Sequence, residues 1–211
     1  MESHSIYTEQ TAHYYSFGKL GSKTKELWIV CHGYGQLASF FIQKFKHLNK
    51  NDRYIVAPEG LNRFYIEGFE GRVGANWMTK EKRLDEINDY CKFIEKLTNN
   101  IMTKAHYKCK IITLGFSQGT TTISRWLLKT KFKIDSVILW GGKIGNDFDY
   151  EIYNKKHQDT KNYIVFGIKD EFYSKEMINN YKKKVYLSNV KWIIYSGGHS
   201  IHKETLGEIV S

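Results

Sequence analysis

Six short apolar runs, separated by longer amphipathic stretches, dictate most of what this 211-residue chain can fold into. The runs cover residues 27–31, 54–57, 111–114, 136–140, 162–166 and 190–195. Each is too short and too uniformly apolar for an amphipathic helix, and reads as a strand buried on both faces. Between them, residues 37–48, 79–102, 118–129 and 174–187 carry helical spacing; in the second, Leu84, Ile87, Cys91, Ile94 and Leu97 fall on one face. Such alternation predicts an α/β fold, a mostly parallel central sheet flanked by helices, in one domain spanning 1–211. Residues 12–20 add an edge strand or hairpin arm. Residues 60–76 and 141–160 follow strand C-terminal ends and show no regular pattern. Because ligands of open parallel sheets sit at that edge, these two stretches are the expected walls of a pocket.

One strand-to-helix junction carries chemistry. Gly115-Phe116-Ser117-Gln118-Gly119 places a serine between the third apolar run and a helix. Glycines two residues to either side suit a sharp, strained turn in which neighbouring backbone leaves no room for side chains. The serine is then exposed at a helix N-terminus, whose unpaired N–H groups stabilise negative charge developing beside it. Alone, the pattern is equally that of a loop serine between turn-forming glycines.

A nucleophilic serine needs a base, and the base needs an acid that fixes its tautomer. Asp170 ends the turn after the fifth run, and His199 ends Ser196-Gly197-Gly198-His199 after the sixth. Ser117, Asp170 and His199 thus follow successive strands in the order of the α/β-hydrolase fold. Asp147 or Asp149 as the acid and His202 as the base remain alternatives, whereas Glu171 is expected to point away. His199 and His202 lack a third ligand nearby, so no metal and no cofactor are expected. After the first run, Cys31-His32-Gly33-Tyr34-Gly35-Gln36 forms a glycine-rich turn. It can aim the Tyr34 N–H at the point faced by the Gln118 N–H, which together would form an oxyanion hole. His32, beside a strand end, is expected to tie loops together. Tyr34, Phe64, Tyr65 and Trp77 would suit an apolar pocket, and Arg63 would meet an anionic group.

These segments together resemble the carboxylesterase, phospholipase and acyl-protein thioesterase group of α/β-hydrolases, in particular its small predicted esterases. The likeness rests on HGYGQ, APEGLNRFY, GFSQG, the GxxD turn and GGH, and runs from about residue 27 to 202. It implies Ser117 as nucleophile, Asp170 as acid, His199 as base and the N–H groups of Tyr34 and Gln118 as oxyanion hole, under a minimal cap. It also implies cleavage of esters or thioesters, with a peptidase or amidase using the same residues, or a noncatalytic binding protein, as the alternatives. Two departures bear on substrate preference. Thr120-Thr121-Thr122 follows the elbow where the characterised thioesterases have a further glycine, and Trp77-Met78-Thr79 stands where they have Trp-Phe-Asp.

Charge and cysteine usage narrow the partners. The net charge of +10 comes from scattered lysines with only five arginines, a solvated surface and not the clustered stripe that grips nucleic acid. Cys31, Cys91 and Cys109 form no CxxC pair and read as reduced thiols of a cytoplasmic protein. No apolar run approaches the roughly 18 residues that span a bilayer, and the polar first ten residues do not resemble an export signal.

Overall fold

The computed structural model describes residues 1–106 and 108–210. Its centre is a seven-stranded sheet in the order β1-β3-β2-β6-β7-β8-β9. The strands are β1 (Tyr14–Phe17), β2 (Glu26–Cys31), β3 (Arg53–Pro58), β6 (Lys110–Phe116), β7 (Ser136–Trp140), β8 (Lys161–Gly167) and β9 (Val190–Tyr195). β1 runs antiparallel to β3, and every other pairing is parallel. All six apolar runs are therefore strands, and the expected edge arm at 12–20 is β1.

Both faces of the sheet are covered, which is why its strands lack alternation. On one face, Leu27, Ile29, Cys31, Ile111, Val137, Leu139 and Ile164 pack against α2 (Arg83–Met102), α3 (Gln118–Lys129) and α5 (Lys175–Lys182). On the other, Trp28, Val30, Ile112, Leu114, Ile138, Trp140 and Val165 meet α1 (Ala38–Phe41), the 3-10 turns Ile42–Leu48 and α6 (Lys203–Val210). In α2 the buried stripe is Ile87, Tyr90, Cys91, Ile94, Leu97 and Ile101. At about 1.5–3 kcal/mol per fully buried large apolar side chain, this stripe outweighs any propensity term in holding the helix.

Several expectations need correction. Leu84 is exposed although it shares the spacing of the stripe: α2 starts only at Arg83, after a left-handed Lys82 (φ 46°), and its buried residues begin at Ile87. Residues 60–76 are not irregular: β4 (Asn62–Tyr65) and β5 (Val73–Asn76) form an antiparallel hairpin. Its aromatic and glycine content hid a period-two pattern only four residues long per strand. Residues 141–160 likewise contain α4 (Tyr150–Lys156), capped by Asp149. Region 37–48 is one α-turn followed by 3-10 turns, and α6 carried no expectation.

Register lines up the chemistry. Cys31 pairs with Gly115, Phe116 with Trp140, Trp140 with Val165, and Gly167 with Tyr195. Those strands end level, so the loops carrying residues 32–36, Ser117, Gly141, Asp170 and His199 emerge along one edge.

Candidate active site

Ser117 sits between β6 and α3 with φ 53° and ψ −116°. Left-handed backbone costs a non-glycine residue about 1–3 kcal/mol, and its effect here is visible by contrast. Ser174 and Asp149, at the N-caps of α5 and α4, spend their side chains on the N–H groups of Met177 and Ile152. Ser117, in the same position for α3, makes no capping bond. Its hydroxyl is left uncommitted to the helix, while its backbone is held by Ser117 N–H donating to the Trp140 carbonyl at 2.8 Å. The flanking glycines permit the turn: a β-carbon on Gly115 would overlap the Gly119 carbonyl, and one on Gly119 would overlap the Cys31 carbonyl.

Asp170 and His199 meet as the spacing predicts. His199 Nδ1 lies 2.8 Å from Asp170 Oδ2, and the other carboxylate oxygen accepts the Phe172 N–H at 2.9 Å. The Asp170 side chain is 1% exposed, and both of its oxygens are hydrogen-bonded. The imidazole leans on Phe116 at 4.8 Å and Phe172 at 4.7 Å between ring centres. A β-carbon on Gly141 would come within 3.2 Å of His199 Cε1, and one on Gly142 would overlap the Ser117 carbonyl. The Gly141-Gly142 turn is thus wedged between the serine and the histidine. The other candidates are engaged elsewhere: Arg125 holds Asp147 at 2.9 Å, Asp149 caps α4, and His202 bonds Thr205 and Glu204. Glu171 accepts the backbone N–H of His199 at 3.3 Å.

The 32–36 turn closes the third side. A β-carbon on Gly33 would stand 3.1 Å from Ser117 Cβ, so this backbone touches the elbow. Gln36 Oε1 accepts the Gly33 N–H at 2.8 Å, and the Gly35 N–H donates to Ala75 in the hairpin. Among the described residues, the N–H groups of Tyr34 and Gln118 have no protein acceptor. The Gln118 side chain ties the elbow to the segment before α2 by accepting from Trp77 N–H and donating to the Met78 carbonyl.

His32 lies beneath this turn, fully buried. Nδ1–H donates to the Gly33 carbonyl at 2.7 Å while Nε2 accepts the Gly60 N–H at 2.9 Å, which fixes a neutral tautomer. Burial pushes its pKa down to about 4, against the opposing pull of the Gly33 carbonyl and Glu59. An unfolded histidine titrates near ~6.5. The contribution is therefore complete above that pH and is lost as pH falls towards about 4, since the unfolded chain binds a proton that the folded one does not. The full difference is worth about 3 kcal/mol. Urea midpoints across that range should show a shallower acid slope for His32→Gln than for the parent; identical slopes would remove His32 from the account. His157, also buried with a lowered pKa, leaves part of the slope in place.

The five residues expected to line the substrate pocket separate. Tyr34 is exposed and packs on Phe64 at 5.2 Å. Tyr65 and Arg63 alternate with Phe64 along β4 and so occupy the opposite hairpin face. Arg63 is held there by Glu59 at 2.6 Å. Trp77 is 1% exposed, stacks on His32 and donates to its carbonyl, so it supports the turn from below.

Sequence reasoning missed Tyr195 and Trp140. The Tyr195 hydroxyl lies 2.6 Å from the carbonyls of both Gly198 and Ser200, which straddle His199, and Trp140 Nε1 donates to Ser200 at 2.9 Å. Both read as ordinary strand aromatics, and only their position at the strand ends hinted at more.

The sequence matches the phospholipase/carboxylesterase family over residues 19–211. Solved structures of similar fold include acyl-protein thioesterase 2 from Zea mays, with 14% identity over 94% of this chain and 96% of that one, at a TM-score of 0.69. A phospholipase/carboxylesterase from Dyadobacter fermentans shares 16% identity over 98% and 97%, at 0.67. A monoacylglycerol lipase from Paleococcus ferrophilus shares 11% over 95% and 97%, at 0.60. No curated protein matches the chain.

Proposed function

The chain belongs to the phospholipase/carboxylesterase family of α/β-hydrolases, and from that premise we propose that it is a serine hydrolase cleaving small carboxylic esters or thioesters through an acyl-enzyme. The observation that carries the reading is the 2.8 Å contact of His199 with buried Asp170, beside a serine whose strained backbone withholds it from capping its own helix.

In this reading Ser117 Oγ attacks the acyl carbon as His199 Nε2 takes its proton. Asp170 keeps the remaining proton on Nδ1, so that Nε2 is the basic nitrogen, and offsets the charge of the imidazolium. The carbonyl oxygen, now an oxyanion, is met by the N–H groups of Tyr34 and Gln118. Collapse expels the alcohol or thiol, which leaves with the proton from His199. Water then gives a proton to the same nitrogen as it attacks the acyl-enzyme, releasing the acid and restoring Ser117.

A p-nitrophenyl ester series from acetate to palmitate, run beside thioesters and anilides, tests the reading. Turnover of esters or thioesters, with labelling by a fluorophosphonate that disappears in Ser117→Ala, is the expected result. Labelling that persists in the variant would place the nucleophile elsewhere, and preferential anilide cleavage would make the chain an amidase.

Tyr195 and Trp140 act here as positioning residues. Tyr195→Phe removes the hydroxyl that holds the Gly198 carbonyl and leaves the Ser200 carbonyl to Trp140 alone. The kcat should fall about tenfold with KM little changed, because a loosened base impairs the reaction and leaves binding intact. An unchanged kcat, or a rise in KM alone, would assign Tyr195 to packing only.

A further inference from the structure

We propose that the leaving group of the substrate carries an oxyanion, phosphate or carboxylate, which seats between Lys143 and Lys184 in a cavity beside the base. The proposal rests on the serine hydrolase reading and names the part of the substrate which that reading leaves open.

The chemistry orients the substrate. His199 must hand its proton to the departing oxygen or sulfur, so the leaving group lies on the imidazole side of the acyl carbon, away from the N–H groups of Tyr34 and Gln118 that face its carbonyl oxygen. Past the imidazole come Phe172 and then Tyr173, whose ring centre is 6.4 Å from that of His199. Lys143 Nζ lies over Tyr173 at 5.4 Å and over Tyr181 at 5.8 Å. Lys143 also directly follows the Gly141-Gly142 turn that presses on His199 and Ser117. It therefore stands at the boundary between the base and what lies beyond.

Beyond is a cavity of about 390 Å³ lined by Lys143, Tyr150, Met177, Asn180, Tyr181 and Lys184. Met177, Asn180, Tyr181 and Lys184 recur at three- and four-residue steps, so one face of α5 and the turn after it forms a continuous wall. Tyr181 anchors that wall to the opposite side by accepting the Ile144 N–H at 2.8 Å.

Charge identifies the occupant. The lining holds two lysines and no carboxylate. The nearby acids are committed, Asp147 to Arg125 and Asp149 to the first turn of α4. Among the described residues neither Lys143 nor Lys184 has an ion-pair partner. Lys143 on the aromatic faces of Tyr173 and Tyr181, with Lys184 and Asn180 in the same lining, suits an oxyanion on a small polar alcohol or thiol. A neutral or cationic leaving group would find no complement there.

The test compares butyrate esters of glycerol, glycerol 3-phosphate and glyceric acid. Wild-type kcat/KM should favour the charged esters at least about tenfold in about 50 mM salt, and that preference should shrink in about 500 mM. In a double variant, Lys143→Met with Lys184→Ala, the ratio of charged to neutral should fall towards one; methionine keeps the packing on the two tyrosines. A wild-type ratio near one, or a ratio intact in the double variant, overturns the proposal. The phosphate and glycerate arms show which oxyanion is preferred. Calorimetric titration with glycerol 3-phosphate separates this proposal from the reading beneath it. Binding by the wild type and by Ser117→Ala, lost in the double variant, supports the site even if no ester turns over; absence of binding to all three overturns it.

Discussion

Replacing Ser117 by alanine should lower kcat/KM by at least about 10⁴-fold while leaving the fold as stable as before. The separation of the two effects follows from the local structure. The Ser117 hydroxyl makes no capping bond to α3, so its loss removes no helix cap. Alanine keeps the β-carbon, so the strain at φ 53° is the same in both proteins. The backbone bond from residue 117 to the Trp140 carbonyl is likewise untouched. What disappears is the oxygen proposed to form the acyl-enzyme. The residual rate is that of water attacking a carbonyl already positioned and polarised. Steady-state kinetics beside a urea melt checks both halves. A variant within tenfold of the parent would remove Ser117 as nucleophile, and a large loss of stability would show that the hydroxyl has a structural duty.

Asp170→Asn should have the next largest effect, a fall in kcat of about 10³–10⁴-fold with little change in KM. Geometry supplies the reason. Asp170 Oδ1 accepts the Phe172 N–H at 2.9 Å, a bond that the asparagine carbonyl can keep. The amide nitrogen then faces His199 Nδ1, which in the parent stands 2.8 Å from Oδ2. Two donors cannot share a hydrogen bond, so Nδ1 must become the acceptor and the ring proton moves to Nε2. A histidine protonated at Nε2 cannot take the proton of Ser117. Glu171 does not substitute, since its carboxylate faces the backbone N–H of His199 and not the ring. A loss below tenfold would assign the acid role to another group.

Much of this was legible in the chain. The six parallel strands followed from uniformly apolar runs, because a sheet covered on both faces has no solvent side to mark with polar residues. Ser117, Asp170 and His199 stood out because each occupies a turn with strict backbone demands. The hairpin β4–β5 was less legible: four residues per strand give a pattern shorter than the noise. Leu84 has the helical spacing yet is exposed, because it sits in the first turn of α2, before the first buried residue, Ile87. The substrate candidates were chosen by residue type alone. Type does not say that Arg63 belongs to Glu59 or that Trp77 lies under His32.

The sequence by itself determined the strand order in the chain, the strained serine turn and the succession of Ser117, Asp170 and His199 after successive strands, because those depend on local periodicity and on what a glycine permits. Only the tertiary structure decided which side chains touch. Strand register brings the ends of β2, β6, β7, β8 and β9 level. That alignment puts Tyr195 and Trp140 against the histidine loop and Lys143 in the lining of a cavity, contacts between residues far apart in the chain that no local pattern encodes.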